Sequence, residues 1–241
     1  MLVYAKSGVG KTSLVKAGVM WRLRREGYLP FVVRFNTSKD EPLDIIKNAM
    51  ANEANERKIE IKTEEVTSLW GFFKTVELWE NDNLLTPIII FDQFEELFTI
   101  QNNTFRNMFL KELSAVTSRF PPNDKSIIEE VIGKINIVAS PAPLRIVLSI
   151  REDYLGVMED AAESIPQIFT QRFRLTHLST ESAKIALKEP AQIEDKRFFT
   201  RPFEIESDTV KEVINFLKQQ IRYVEYYKKT LVEPFQLQLI C

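Results

Sequence analysis

The segment Lys6-Ser7-Gly8-Val9-Gly10-Lys11-Thr12-Ser13 near the start of the chain constrains the fold more than any other feature. It follows a short apolar run, Leu2-Val3-Tyr4, and precedes a stretch with helical spacing. Its two glycines leave backbone N–H groups free to curl around a phosphate, because no side chain blocks the approach. A strand, a glycine-rich loop and a helix in this order are typical of a phosphate-binding loop.

Individual residues of this segment have predicted parts in nucleotide binding. Lys11 would place a positive charge at the β- and γ-phosphates, and Thr12 would supply a hydroxyl for Mg²⁺. Ala5 stands where the usual pattern has its first glycine. The alternative, a glycine-rich turn without a ligand, accounts less well for a lysine and a threonine at the start of a helix. The predicted phosphate-binding residues are Ser7, Gly8, Val9, Gly10, Lys11, Thr12 and Ser13.

A second predicted site element is the apolar run of residues 88–91, which is followed by Asp92. A run this rich in β-branched residues is typical of a buried strand in a parallel sheet. Such a strand delivers Asp92 to the carboxyl edge of the sheet, where it can hold Mg²⁺ through water. Glu95 or Glu96 can then orient or deprotonate an attacking water, and the pattern slightly favours Glu96. The alternative is a strand end followed by a helix whose first turn favours acidic residues.

Like Asp92, Arg151 directly follows an apolar run, here residues 144–150. A cation at the end of a strand can reach a γ-phosphate and sense its loss. The alternative is a surface salt bridge with Glu152 or Asp153. Pro190 either ends a helix or forms a rigid edge against an adenine ring.

Composition narrows the class of protein. With 44% hydrophobic and 27% charged residues among 241, the chain has the make-up of a soluble globular protein. A net charge of −2 disfavours nucleic acid as a partner. No apolar run approaches the ~20 residues of a membrane helix, so no membrane partner is expected. A single cysteine excludes an internal disulfide and fits a reducing cytoplasm. The Asn/Thr-Lys-x-Asp motif of small GTPases and the Leu-Ser-Gly-Gly-Gln signature of transporter ATPases are absent from the sequence.

Strand-like and helix-like segments alternate along the chain, which predicts an α/β fold. We expect a RecA/ASCE-like parallel sheet with helices on both faces, followed by a small helical lid. The predicted domains are a P-loop NTPase domain over residues 1–191 and a lid over residues 192–241. Both ends of the chain look cut, so we expect a piece of a longer polypeptide.

The predicted elements follow from apolar periodicity and from glycine and proline positions. No strand is expected after Pro190, and residues 120–143, which carry four prolines, are expected to form an excursion between core elements. Predicted strands cover residues 2–4, 31–35, 87–91, 144–150 and 173–178. Predicted helices cover residues 11–26, 42–57, 64–80, 104–119, 180–190 and 208–227.

Together these motifs resemble the STAND class of signal-transduction ATPases, specifically the novel STAND group of large bacterial proteins. They span about residues 1–191 in the order found in that family. The matching pieces are Tyr4-Ala5-Lys6-Ser7-Gly8-Val9-Gly10-Lys11-Thr12-Ser13-Leu14, Ile90-Phe91-Asp92-Gln93-Phe94-Glu95-Glu96-Leu97-Phe98, Leu148-Ser149-Ile150-Arg151-Glu152-Asp153-Tyr154-Leu155, Phe173-Arg174-Leu175 and Ala186-Leu187-Lys188-Glu189-Pro190-Ala191.

This resemblance implies a nucleotide switch. It implies that the loop and Asp92 bind ATP or ADP with Mg²⁺, that Arg151 senses the γ-phosphate and that Pro190 contacts adenine. It further implies that ATP favours an open homo-oligomer and that ADP bridges sheet domain and lid in a closed form. Sensor and effector domains would lie outside this chain, in a protein of defence or stress signalling.

The predicted function is therefore an ATP-binding, slowly hydrolysing switch module of a cytoplasmic STAND-type regulator. Two alternatives stay open at the level of sequence. One is an AAA+-like ATPase that acts on nucleic acid, which DNA-stimulated turnover would favour. The other is a nucleotide-dependent scaffold without hydrolysis, which binding without phosphate release would favour.

Overall fold

The computed structural model of the protein describes residues 1–35, 41–118, 128, 143–194, 201–220, 231–232 and 234. Within this part of the chain the strands are β1 (Leu2–Ala5), β2 (Tyr28–Val33), β3 (Glu60–Lys62), β4 (Glu77–Glu80), β5 (Asn83–Leu84), β6 (Thr86–Phe91), β7 (Arg145–Arg151), β8 (Arg172–Arg174), β9 (Leu178–Ser179) and β10 (Leu231–Val232).

The helices of the same residues begin with α1, which runs through Lys11–Ser13, a π-helical segment Leu14–Val19 and Met20–Arg25. The others are α2 (Pro42–Arg57), α3 (Leu69–Thr75), α4 (Glu96–Thr99), α5 (Asn103–Thr117), α6 (Val157–Ser164), α7 (Thr180–Ala191) and α8 (Ser207–Gln220), with short 3₁₀ turns at Glu152–Tyr154 and Pro166–Phe169. No helix of the described residues is long and apolar enough to cross a membrane.

The chain folds into two compact units. The first comprises Met1–Tyr4 and Lys11–Arg174, and the second comprises Ala5–Gly10 and Leu175–Cys241. The division after residue 191 that the sequence predicts for the domains stays a prediction.

The first unit is built on a five-stranded sheet with the order β2-β6-β7-β1-β8, and β2 with β6, β6 with β7 and β1 with β8 pair in parallel. Strand β7 thus lies between β1, which leads into the phosphate-binding loop, and β6, which ends before Asp92. This is the RecA/ASCE-like α/β arrangement predicted from the sequence.

The side chains of β6 show why this strand is central. Because neighbouring residues of a strand point to opposite faces, Ile88 and Ile90 pack with Val15 and Met20 of α1. Ile89 and Phe91, two positions apart on the other face, join the larger hydrophobic core. Helices therefore cover both faces of the sheet, and a continuous apolar run can form a buried strand.

A helix predicted over residues 64–80 is wrong. Only Leu69–Thr75 is helical, and Ser68 caps it by accepting a hydrogen bond from the Gly71 N–H at 3.0 Å. Residues Glu77–Glu80 instead pair with Glu60–Lys62 and Asn83–Leu84 in a three-stranded antiparallel sheet. Asn81 adopts a left-handed φ of 54° in the tight turn of this hairpin, a conformation that asparagine tolerates well.

Two further predictions about strands are wrong. The run predicted as one strand over residues 173–178 ends in the main sheet at Arg174, and Leu178–Ser179 pairs separately with Leu231–Val232. A strand therefore does follow Pro190, contrary to expectation. The other predicted strands and helices exist where they are described, with ends shifted by up to three residues, most clearly in β2. The predicted helix over residues 208–227 is helical over Ser207–Gln220, and its remainder lies outside the described residues, as does nearly all of the predicted 120–143 excursion.

The second unit has a small core of its own. Val210, Ile214 and Leu217 of α8 are buried against Ala183 and Leu187 of α7, with Val232 of β10 beside them. Their helical spacing is the one predicted from the sequence for this helix.

Candidate functional site

The predicted phosphate-binding loop belongs to the second unit up to Gly10. Gly8 and Gly10 have φ values of 79° and 91°, in the left-handed region where L side chains are strained. A Cβ built on Gly8 would meet no atom within 4 Å, whereas one on Gly10 would lie 3.5 Å from the Pro234 Cβ. Backbone conformation therefore explains both glycines. Ser7 is exposed at this point, and Val9 is buried.

Helix α1 begins immediately after this loop, in the first unit, with Lys11 and Thr12 in its first turn and Ser13 exposed beside them. The Thr12 Oγ1 donates to the carboxylate of Asp92, at 3.0 Å from Oδ2 and 3.2 Å from Oδ1. The two residues are 80 positions apart in sequence. The structure therefore brings together Thr12 and Asp92, the two residues predicted to hold Mg²⁺.

Asp92 is 1% exposed and contacts two further polar side chains. Ser149 Oγ donates to Oδ1 at 3.3 Å, and Arg34 Nε donates to Oδ2 at 3.2 Å. A second guanidinium nitrogen of Arg34, Nη2, forms an ion pair with the same oxygen. Sequence reasoning missed both Arg34 and Ser149. Arg34 could have been found, because it follows the apolar strand β2 in the way that Arg151 ends β7.

The chain turns sharply after Asp92. Gln93 adopts a left-handed φ of 58°, and the Phe94 N–H donates to the Ser149 carbonyl at 2.9 Å. Phe91 and Phe94 anchor the turn from both sides, with ring centroids 5.4 and 6.5 Å from that of Phe109 in α5. These contacts fix the turn between the ends of β2 and β7. They hold the carboxylate that follows β6 in place.

Glu95 lies on the Arg151 side of this turn. It is 6% exposed, and its Oε2 accepts a hydrogen bond from the Arg151 backbone N–H at 3.2 Å. Burial lowers the pKa of the Lys11 ammonium, while the negative charges of Glu95 and then of Asp92 oppose this shift. Lys11, Asp92 and Glu95 therefore share one electrostatic environment, and Arg151 adds a second positive charge to it.

Glu96 lies on the other side of the turn, towards β2. Burial raises the pKa of its carboxyl, and a backbone hydrogen bond with Phe35 and the charge of Arg34 oppose the shift. Its Oε2 is buried and has no hydrogen-bond partner among the described residues. The slight preference for Glu96 over Glu95 as the residue that positions water stays a prediction, but their surroundings differ. Glu95 shares its environment with Lys11 and Arg151, and Glu96 shares its environment with Arg34.

The raised pKa of Glu96 predicts a pH-dependent effect on stability. The folded chain holds this proton more tightly than the unfolded chain, so the contribution is present below the ordinary value of 4.5 and is lost as pH rises through the folded pKa. Glu96→Gln cannot lose a proton there. We expect this variant to match the original chain near pH 4 and to exceed its unfolding free energy by roughly 1 kcal/mol at pH 7.

Urea unfolding followed by tryptophan fluorescence measures this difference. Trp21, Trp70 and Trp79 all lie in the first unit, so the signal reports the part of the chain that contains Glu96. Glu56→Gln, at an exposed position of α2, is the matched control. A gain for Glu96→Gln that is the same at pH 4 and pH 7 would contradict the prediction.

Arg151 ends strand β7, as predicted from the sequence. Its Nη2 donates to Asp153 at 2.6 Å, and its guanidinium lies 5.3 Å from the ring centroid of Tyr154. The hydrogen bond to Asp153 raises the pKa of Arg151. The side chain is 41% exposed, so it is a cation held at the rim of the site by a surface carboxylate. Both the salt bridge weighed from the sequence and a position at the sheet edge are therefore present.

Pro190 lies in the second unit, exposed in the last turn of α7. Helix α7 ends at Ala191, one residue beyond the end predicted at Pro190. The residue before α7, Ser179, supplies the N-terminal cap, and its Oγ accepts from the Ser182 N–H at 3.1 Å. The predicted contact of Pro190 with adenine stays a prediction.

Magnesium suits the oxygen atoms collected at the end of β6. A buried carboxylate and a threonine hydroxyl are hard ligands, and Mg²⁺ is usually held by one or two such groups together with phosphates and waters. Thr12 and Asp92 would hold the ion, and bound Mg²⁺ would neutralise charge on the β- and γ-phosphates.

Comparison with solved structures gives matches of low sequence identity. Aeropyrum pernix ORC2 protein in its ADP form is 14% identical, with a TM-score of 0.43 over 77% of this chain and 44% of that chain. Aeropyrum pernix ORC1 protein in complex with DNA is 10% identical, with a TM-score of 0.44 over 99% of this chain and 52% of that chain. The chain thus spans about half the length of these two proteins. A chain of the E. coli MS115-1 HORMA:CdnC:Trip13 complex is also 10% identical, with a TM-score of 0.31 over 99% of this chain and 72% of that chain.

Comparison with protein families gives a more specific result. No curated protein matches the sequence at a significant level. The family model described as Novel STAND NTPase 1, nSTAND1, matches residues 1–219 of the 241. This match covers the loop, the Asp92 turn, Arg151 and Pro190, and it confirms the resemblance inferred from those motifs. The chain therefore belongs to the novel STAND NTPase 1 family and is an NTPase module with a RecA-like fold.

Proposed function

We propose that this NTPase module binds ATP and ADP with Mg²⁺, hydrolyses ATP slowly and serves as the switch of a cytoplasmic STAND-type regulator. The observation that carries the proposal is the hydrogen-bonded pair of Thr12 and Asp92, 3.0 Å apart at its closest. It joins the first turn after the glycine-rich loop to the end of the central strand β6. A threonine hydroxyl and a buried carboxylate in this relation are the protein ligands that P-loop NTPases offer to Mg²⁺.

Each side chain has a proposed role in the reaction. Backbone N–H groups of residues 7–13 cradle the phosphates, and Lys11 neutralises their charge. Glu95 orients the attacking water. It is buried, its carboxylate accepts a hydrogen bond from the Arg151 N–H, and it is close enough to Lys11 for its negative charge to raise the pKa of that ammonium. Arg151 releases Asp153 and senses the γ-phosphate. Pro190 borders the adenine ring.

Such a module would act by changing its oligomeric state, and the products of ATP hydrolysis would not themselves be the signal. We propose that ATP favours a homo-oligomer and ADP a monomer, with sensor and effector domains that lie outside this chain. Membrane and nucleic acid are not proposed as partners. The net charge of −2 disfavours nucleic acid, because it offers little attraction for phosphate backbones.

The role of Thr12 can be tested by calorimetric titration with ATP and ADP, with and without Mg²⁺. We expect Mg²⁺ to strengthen ATP binding by the original chain. In Thr12→Ala this strengthening should be about tenfold smaller, while the affinity for ATP without metal should change little. Thr104→Ala is the matched control, since Thr104 is an exposed threonine in the first turn of another helix, α5. An equal loss with and without Mg²⁺ would contradict a metal-binding role for Thr12.

The switch can be tested by sedimentation velocity and phosphate release on the same samples. A larger species with ATP but not with ADP is the expected result. Binding without phosphate release would favour a scaffold that does not hydrolyse ATP. Turnover that DNA stimulates in a salt-dependent way would favour an AAA+-like ATPase acting on nucleic acid.

A further inference from the structure

The carboxylate of Asp92 has no free position for a metal ion in this conformation. Two nitrogens of Arg34 donate to its Oδ2, Ser149 donates to its Oδ1, and the single hydroxyl proton of Thr12 lies within reach of both oxygens. A carboxylate offers about four lone-pair positions, and these contacts use all of them. An ion that binds Asp92 must therefore replace at least one of the present donors.

Arg34 is the donor that a divalent cation must displace. The hydroxyls of Thr12 and Ser149 can rotate and offer a lone pair, so they are compatible with a nearby cation. A guanidinium has five N–H donors and no lone pair to offer, and its positive charge repels a metal ion. Its side chain is also 35% exposed, so it has room to move, whereas that of Asp92 is 2% exposed.

Glu96 provides a second position for the displaced guanidinium. Its Oε2 is buried and has no partner among the residues that the structure describes, which is costly for a carboxylate oxygen. Arg34 is already close enough for its charge to lower the pKa of Glu96, against the larger effect of burial. Movement of Arg34 from Asp92 to Glu96 would satisfy this oxygen and free Oδ2 of Asp92 at the same time.

We propose that Arg34 is a competing cation, which closes Asp92 to Mg²⁺ in this conformation and transfers to Glu96 when metal-bound nucleotide enters. This inference rests on the proposed function of Thr12 and Asp92 as the metal ligands. Its consequence is that metal and nucleotide bind together. The negative charge of the phosphates offsets the cost of breaking the Arg34–Asp92 pair, and a metal ion alone lacks that help.

The test is a titration of the chain with Mn²⁺, followed by electron paramagnetic resonance, first alone and then with saturating ADP. Arg34→Gln removes the competing charge, so we expect it to bind Mn²⁺ alone about tenfold more tightly than the original chain. Arg24→Gln is the matched control. Arg24 is also paired with a carboxylate, that of Glu53, and its side chain is also 35% exposed. We expect this control to leave the Mn²⁺ affinity unchanged.

A second variant keeps the test decisive if Arg34→Gln folds poorly. Arg34→Lys retains the charge but loses the planar fork that contacts Oδ2 with two nitrogens, so we expect an intermediate Mn²⁺ affinity. The proposal is overturned if neither variant raises the Mn²⁺ affinity. A fall in ADP affinity measured in EDTA, with unchanged Mn²⁺ affinity, would instead identify Arg34 as a phosphate ligand.

A double-mutant cycle tests the second position. Glu96→Gln should weaken Mn²⁺ binding in the presence of ADP when Arg34 is intact, because the displaced guanidinium then has no carboxylate to receive it. In the Arg34→Gln background the same substitution should have little effect. An equal loss in both backgrounds would show only that Glu96 attracts the metal by its charge, and would overturn its role as the receiving group.

Asp92→Ala separates failure of this inference from failure of the proposed function. If the chain binds Mn²⁺ with ADP and Asp92→Ala abolishes that binding, the metal site stands whatever Arg34 does. If Asp92→Ala leaves Mn²⁺ binding unchanged, the proposed metal site and the inference about Arg34 both fail.

Discussion

Replacing Lys11 with alanine is expected to weaken the binding of ATP and ADP by about a hundredfold or more. Burial lowers the pKa of this ammonium, so its charge is held where water screens it poorly. Glu95 and Asp92 supply negative charge nearby, which Lys11 would no longer offset at the phosphates. Isothermal titration calorimetry with each nucleotide measures the loss.

Lys16→Ala is the matched control for Lys11→Ala. Lys16 is an exposed lysine of the same helix, in the π-helical segment, and we expect its replacement to leave nucleotide affinity unchanged. We expect Lys11→Ala to stay folded, because removing a partly desolvated ammonium relieves the cost of its burial. Equal affinities for Lys11→Ala and the original chain would remove Lys11 from the site.

The second large effect is expected for Glu95→Gln, which should slow ATP hydrolysis about a hundredfold or more while ATP still binds. Glutamine retains an oxygen that can accept the Arg151 N–H, now bonded to Glu95 at 3.2 Å, so the turn after Asp92 should keep its shape. It cannot take a proton from water. Single-turnover phosphate release at saturating Mg²⁺ and ATP separates this chemical effect from binding.

Glu96→Gln, measured in the same way, decides between the two carboxylates. Because Glu96 shares its surroundings with Arg34 and Phe35, we expect a smaller loss of hydrolysis than for Glu95→Gln. Glu56→Gln serves again as the surface control. A larger loss for Glu96→Gln would assign the water-positioning role to Glu96 and contradict the assignment to Glu95.

The central elements could be predicted because their local sequence agrees with their tertiary surroundings. Residues 88–91 are apolar without interruption, and only a strand buried on both faces uses such a run. Residues 42–57 have a proline at the start and helical spacing, and the observed helix has the same bounds. The positions of Asp92 and Arg151 at strand ends followed directly, since both come after such runs.

The wrong predictions involve segments whose local pattern fits two structures. Residues 64–80 contain enough apolar residues at helical spacing to indicate one long helix, but Leu78 is buried in a strand that pairs with Ile61. The strand Leu178–Ser179 is two residues long and depends on a partner more than 50 positions later. Only tertiary pairing defines these elements, and a periodicity argument does not contain it.

The polar contacts of Asp92 were beyond sequence reasoning for a similar reason. Arg34 and Ser149 lie 58 and 57 residues from Asp92. Arg34 directly follows β2 and Ser149 lies in β7, the two strands that flank β6. The sequence predicts that all three strands end at one edge of a sheet, but not which strands are neighbours. Once the order β2-β6-β7 is known, the ends of β2 and β7 must both border Asp92.

The π-helical segment Leu14–Val19 affects how α1 tolerates changes in length. A π-helical turn accommodates one residue more than the α-helical turn it replaces. Deletion of one residue here would restore a regular α-helix. Lys11 and Thr12, before the segment, and Met20, after it, would each stay on the same face of the helix. Deletion within Met20–Arg25 would instead rotate the residues beyond it by about 100° and turn apolar side chains away from the sheet. Relatives one residue shorter in α1 are therefore expected to carry their gap at residues 14–19.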